Sequence, residues 1–291
     1  MYFKFVSSFG SKMNSIKYLK RRVLLKIMSF LPLPDIPPSS DEIDIVIPVI
    51  EKDLDILPLC LEGVKKNVQN RIKNIYLVAP QNNQIMEFCR CNSIEFVDET
   101  TVLGFGPKDL CLKIKEKDKI VDRSGWLFQQ LIKLSGRVGT CDHYLCIDSD
   151  HVLLRPHTFL AENGKPVFYM SSEMHCPYYA NIKRITSLKK LSAFSYVAHK
   201  MLFSKKMLND LHKNIEEKCK TDWIKAVLEK YDRTQQAGFS EFELYGNFVR
   251  EKYVRPWKQK AFSYMKKSDY DNLVSLYGKK YNSITFPAYM N

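Results

Sequence analysis

Asp148 and Asp150 stand one residue apart in Ile147-Asp148-Ser149-Asp150, directly after the apolar run His143-Tyr-Leu-Cys-Ile147 and just before Val152-Leu153-Leu154. The run reads as a buried strand. Neighbouring strand residues face opposite ways, while positions two apart share a face. A backbone that stays extended, or turns gently, therefore aims both carboxylates at one point. Two carboxylates at the margin of a core are costly unless a positive charge neutralises them. A divalent cation does so, and a carboxylate pair holding Mg2+ or Mn2+ commonly has phosphates as its other ligands. The competing reading of a bare Asp-x-Asp is a polar strand cap; the apolar strand in front of it favours a site.

Ser240-Glu241-Phe-Glu243-Leu-Tyr245-Gly-Asn247 is the second acidic segment. Ser240 followed three residues later by Glu243 matches a capping box, in which Glu243 bonds back to the Ser240 amide. That leaves Glu241 as the freer carboxylate. A helix N-terminus keeps it ionised, which suits a base that takes a proton from a hydroxyl. Glu241 and Glu243 are the catalytic candidates, against the plainer reading of Glu241 as an ordinary first-turn acid. His175 and His199 each offer a third metal ligand, and His175 is carried forward with Asp148 and Asp150 as the expected set. Arg255-Pro-Trp257-Lys258 offers a phosphate contact if it folds back, although a surface turn explains it as well.

These residues need a scaffold. Residues 43–48, 75–79 and 94–98 are short β-branched or aromatic runs that read as strands, with helical periodicity over 54–67 and 85–90 between them. Alternating strands and helices imply a parallel sheet covered on both faces, and ligands of such sheets bind beyond the carboxyl ends of the strands. A helix over 126–137 puts Leu127, Leu131 and Leu134 on an apolar face and Trp126, Gln129, Gln130 and Lys133 on a polar one. It leads straight into the aspartate-bearing strand, which makes Lys133 the better phosphate candidate. A strand at 167–170 and helices at 205–218, 223–231 and 241–252 follow. Residues 99–123 read as irregular, a mobile loop over the site, and the last forty residues, rich in Lys and Tyr, are placed only loosely.

Composition narrows the classes. With 291 residues, 45% of them hydrophobic and 12% aromatic, the chain can bury a real core. The net charge of +13 fits an anionic partner. The eight cysteines show no zinc-knuckle or redox spacing, so the reading is free thiols in a reducing compartment. No uncharged apolar run reaches 18 residues, and no transmembrane helix is expected. The first 34 residues hold seven basic and no acidic residues, and Ile16, Leu19, Val23, Ile27 and Phe30 recur at helical spacing. Such a basic amphipathic helix lies on anionic lipid, unless it packs on the body with a solvated basic face. The expected layout is helix plus proline-rich linker over 1–40, a catalytic domain over 41–255 and a basic aromatic extension over 256–291.

Taken together, strand 43–48, the helix Gly125-Trp126-Leu-Phe-Gln129-Gln130-Leu-Ile-Lys133, the Asp148-Ser149-Asp150 motif and the Ser240–Gly246 segment resemble nucleotide-sugar glycosyltransferases of the GT-A fold. Among these the chain is similar to a group of uncharacterised bacterial members over roughly residues 43–255. The late His-x-x-Gly-x-x-Lys-Pro-Trp pattern of the retaining, glycogenin-like branch is absent from the sequence. The resemblance implies a Rossmann-like α/β fold with a mixed, mostly parallel sheet. It also implies Mn2+ or Mg2+ on Asp150 and Asp148, and donor contacts from Pro48, Trp126, Gln129, Gln130, Lys133 and Asp148. Inverting transfer to a glycan or glycolipid hydroxyl of the cell envelope (lipopolysaccharide or capsule) follows, with the enzyme on the inner face of the bacterial plasma membrane. A sugar-nucleotide nucleotidyltransferase is the nearest rival, but Val49-Ile-Glu-Lys-Asp-Leu-Asp55 stands where its Gly-rich basic loop belongs. An Asp-x-Asp phosphatase would carry its nucleophile at the end of the first strand. No basic-aromatic nucleic-acid motif is present, so a nucleic-acid partner is not expected, and a non-enzymatic binding module is the remaining alternative.

Overall fold

The computed structural model describes residues 12–31, 34–116, 119–189, 191–256, 258–262 and 267–287. Lys4, Pro32, Leu33 and Trp257 fall outside them, as do the side chains of Lys12, Ile16 and Lys17.

Helix α1 (Lys12–Phe30) precedes the sheet-forming part of the chain. Strands β1 (Ile43–Pro48), β2 (Ile72–Ala79) and β3 (Glu95–Asp98) alternate with helices α2 (Leu57–Asn67) and α3 (Asn83–Asn92). Next come α4 (Glu99–Leu103), a hairpin of β4 (Lys113–Glu116) and β5 (Lys119–Asp122), α5 (Ser124–Leu134) and β6 (His143–Ile147). The central sheet has the order β3-β2-β1-β6-β9, where β9 is Lys200–Ser204. The first four strands are parallel, and β9 runs antiparallel to β6. The fold is thus mixed α/β, with a mostly parallel sheet between helices.

Burial follows from that layering. All six residues of β1 are buried, as expected of a strand covered on both faces. Val46, Tyr144 and Cys146 face one core with Leu127, Leu131 and Phe203. Ile45, Ile47, Leu145 and Ile147 face the other with Leu57, Val64 and Leu202. The period of two along each strand sorts its side chains between these cores.

Later elements complete the site end. Strand β7 (His151–Leu153) and β8 (Val167–Met170) precede α6 (Cys176–Ile185). Helices α7 (Lys205–Cys219), α8 (Trp223–Lys230) and α9 (Glu241–Phe248) follow β9. Then come β10 (Tyr253–Pro256), β11 (Gln259–Ala261), α10 (Lys267–Tyr277) and β12 (Ser283–Thr285). Strand β10 pairs with β8, and β12 lies between β11 and β7. Gly63 of α2 lets the helix approach β7 closely: a Cβ there would lie 2.9 Å from both N and O of Leu153.

Three local expectations are corrected. The described residues of 99–123 form a helix, a 3-10 turn and two paired strands, because Leu112 and Ile114 are buried in the core and Ser124 Oγ accepts from the Leu112 amide. The final helix of the expected catalytic region ends at Phe248, four residues early, where the chain leaves for β10. The capping box at α9 is half formed: Ser240 Oγ accepts from the Glu243 amide. The Glu243 carboxylate turns inward instead, to the Tyr179 hydroxyl at 3.0 Å and the Tyr196 amide at 3.2 Å.

Candidate active site

Pairing between β6 and β9 builds the centre of the site. Ile147 is opposite Lys200, so the next residue of one strand, Asp148, meets the preceding residue of the other, His199. The Asp148 amide donates to the His199 carbonyl at 3.0 Å, and His199 Nδ1 lies 2.9 Å from Asp148 Oδ2. His199 adopts a left-handed backbone with φ of +58°. That conformation is unfavourable for a residue with a Cβ, and such strain gathers at functional sites.

One potential ligand atom from each of Asp148, Asp150 and His199 falls within 4.8 Å of the others. All three side chains are partly open to solvent. Two carboxylates and an imidazole are a donor set suited to Mn2+ or a similar divalent ion. The 2.9 Å between His199 Nδ1 and Asp148 Oδ2 also matches the spacing of adjacent ligands on an ion with bonds of about 2.1 Å. The residues therefore fit the cation that the sequence implies.

Electrostatics set the two aspartates apart. Burial works against the Asp148 carboxylate, but Lys133 and then His199 outweigh it and hold its pKa below the usual range. Asp150 moves the other way, raised by burial and by the neighbouring Asp148 charge. Asp53, on the turn after β1, is likewise raised by burial, and it accepts from Ser149 Oγ at 3.0 Å. His199 is raised because its contact with Asp148, helped by Asp150 and Glu173, exceeds the cost of its burial. Three acids and an imidazole thus crowd one opening, a distribution that a cation would relieve.

Lys133 links this centre to the second acidic segment. Its Nζ is 2.7 Å from Asp148 Oδ1 and 2.8 Å from Glu241 Oε1, and it lies 4.7 Å over the Phe242 ring. Burial would lower the ammonium pKa, but the two carboxylates raise it well above the ordinary lysine value. Gln130, one turn before Lys133, accepts the Glu241 amide at 3.3 Å. The i, i+3 spacing of Gln130 and Lys133 on α5 thereby clamps the first turn of α9 at two points.

Not every expected residue meets there. Pro48 ends β1, beside the strand that carries Asp148. Trp126 stacks under the Arg123 guanidinium at 4.4 Å, and Gln129 is half-buried on the same helix. His175 is not in the ligand cluster. It occupies the N-cap position of α6, with its ring edge on Tyr178 at 4.7 Å. His199 instead joins Asp148 and Asp150 in the cluster that could hold an ion, because strand pairing rather than proximity in sequence places it. The Arg255 guanidinium bonds the Pro34 carbonyl, away from the phosphate role considered for it.

Further contributors had no local signal in the sequence. Thr285 Oγ1 reaches the Asp150 carboxylate at 3.4 Å, and the Phe286 amide donates to the Asp150 carbonyl at 3.0 Å. Beneath the ligands, Lys200 is fully buried, with Nζ 3.0 Å from His151 Nε2 and 3.3 Å from Ser283 Oγ. Burial pushes the Lys200 ammonium down to about 7. Asp150 and His151, like His199 and Lys200, are adjacent pairs whose members face opposite ways. One set lines the opening and the other forms a polar floor.

The chain belongs to a family of unknown function (DUF6492), whose model matches residues 40–272. None of the curated proteins matches it. Among solved structures it is similar to an active-site mutant of LgtC, with 11% identity, a TM-score of 0.45 and coverage of 84% of this chain and 87% of that one. It is also similar to apo mouse xyloside xylosyltransferase 1, with 9% identity, a TM-score of 0.45 and coverage of 86% and 99%. The galactosyltransferase LgtC with donor and acceptor sugar analogues matches at 12% identity and a TM-score of 0.42, covering 84% and 87%. A shared chain path does not carry an activity with it; the residues of the site do.

Proposed function

We propose that this protein is a metal-dependent glycosyltransferase of the GT-A type, using a nucleoside diphosphate-sugar as donor and a glycan or glycolipid hydroxyl as acceptor. The observation that carries the reading is the convergence of Asp148, Asp150 and His199 at the carboxyl end of β6, with Glu241 joined to them through Lys133. A divalent cation held by Asp148, Asp150 and His199 would offset the negative charge that develops on the diphosphate as it leaves.

In the transfer, the acceptor oxygen forms a bond to the anomeric carbon while the bond from that carbon to the phosphate oxygen breaks. The nucleoside diphosphate departs with the electron pair, and the acceptor proton passes to a carboxylate. Glu241 is the base on the inverting reading. Lys133 pairs with it at 2.8 Å, and Gln130 fixes the backbone that carries it. The burial of Glu241 and the Lys133 contact at Oε1 favour a second reading. In that case Glu241 positions Lys133, the leaving phosphate takes the proton, and the sugar keeps its configuration.

Calorimetric titration with a panel of nucleoside diphosphates, with and without Mn2+, tests the proposal on wild type and Asp150→Ala. Mn2+-dependent binding of one nucleotide, lost in the variant, is expected. Absence of binding to every nucleotide would end the donor-site reading. The anomeric configuration of the product then separates the two courses.

A further inference from the structure

Helix α1 has two apolar sides. Leu25 is 9% exposed and joins the main core, with half-buried Met28 packed against that core. On the other side, Leu19, Val23, Ile27 and Phe30 are 61%, 50%, 52% and 77% exposed. These four recur every third or fourth residue and so form one stripe. Leu24 and Leu31, also exposed, widen it. Lys20, Arg22 and Lys26 are exposed around the stripe, and residues 12–34 contain no acid. Tyr253 and Val254 of β10, the strand that α1 packs against, add exposed apolar surface beside it.

A continuous apolar face of this kind on a soluble surface marks an interaction site. We propose that α1 docks in the plane of an anionic lipid bilayer, its stripe among the acyl chains and Lys20, Arg22 and Lys26 at the headgroup phosphates. Charge selects this occupant over a protein. Lys20, Arg22 and Lys26 give the described rim a single sign of charge, which complements an anionic leaflet. Among the described residues no helix is long and apolar enough to cross a membrane, so the helix lies on the bilayer.

The inner side of α1 ties this surface to the body. The Arg21 charge acts on Tyr179 of α6, whose hydroxyl donates to Glu243 of α9. Docking therefore holds the α6 and α9 side of the fold toward the lipid. Vesicle binding and nucleotide binding are separate measurements, so one can fail without the other.

Co-sedimentation of the full chain with phosphatidylcholine vesicles, with and without phosphatidylglycerol, tests the proposal at low and raised salt. Binding is expected only with phosphatidylglycerol and should weaken with salt. Lys20→Gln with Lys26→Gln should weaken it about fivefold per charge removed. Leu19→Ser with Val23→Ser, Ile27→Ser and Phe30→Ser should abolish it at every salt concentration. Thermal unfolding by circular dichroism should leave both variants close to wild type. Equal binding to vesicles lacking phosphatidylglycerol, no binding by wild type, or unchanged binding by the serine variant would each overturn the proposal. So would a wild-type dimer that the serine variant dissolves.

Discussion

Lys133 and Glu241 meet in a buried ion pair of 2.8 Å across 108 residues of sequence. The same ammonium holds Asp148 at 2.7 Å, so one side chain neutralises both acidic segments. Removing one partner of a buried pair leaves an uncompensated charge, at a cost of about 3–5 kcal/mol. Lys133→Met should destabilise the protein by an amount of that order in urea unfolding. Lys133→Met with Glu241→Gln should recover part of the loss. Additive losses in the double variant would mean that the two groups are not coupled.

Exchanging the histidines separates geometry from sequence proximity. His199→Gln should weaken Mn2+ binding by more than tenfold in calorimetry, whereas His175→Gln should leave it near wild type. The reverse order would return the third ligand to the loop before α6.

Thr285 touches Asp150 from the far end of the chain. Partners of this kind that orient a ligand typically contribute about 10–100-fold in metal affinity. Thr285→Val should lower Mn2+ affinity toward the smaller of these factors with little change in unfolding temperature. A large fall in stability with unchanged affinity would make the contact purely structural.

Glu243 gives a pH dependence with a definite sign. Burial raises its pKa to about 7, well above the ordinary glutamate value, so the folded state binds the proton more tightly than the unfolded chain. Its contribution is full below the unfolded value and is lost as pH rises through about 7. The loss is on the order of 3 kcal/mol. Denaturant titrations from pH 4 to pH 8 should show this decline in wild type and a flatter profile in Glu243→Gln. Parallel profiles would remove Glu243 as the source.

The parts of this architecture that read directly from the sequence are those whose signal is local. Strands β1, β2, β6 and β8 are apolar runs bounded by polar residues, and the lead of α5 into the aspartate-bearing strand made Lys133 a phosphate candidate; its pairing with Asp148 and Glu241 had no local signal. Strand β9 escaped because its apolar run is only Met201-Leu202-Phe203, set between the buried Lys200 and Ser204. The choice between His175 and His199 rested on strand pairing, which has no local signature. Hairpin β4–β5 was hidden by charge: Lys113, Lys115, Lys119 and Asp122 interrupt its short apolar stretches, of which Ile114 is the buried anchor. Thr285 was out of reach for a similar reason, since only the pairing of β12 with β7 brings it to Asp150.

That pairing gives the site an order of assembly. As the chain is synthesised, β1, β2, β3 and β6 can form their sheet long before residue 283 exists, and both aspartates are by then in place. The Asp150 backbone carbonyl gains its amide donor, and Lys200 its Ser283 partner, only when the final strand arrives. Until then the nascent protein holds a sheet with an open acidic end, and β12 finishes the loop that carries Asp150.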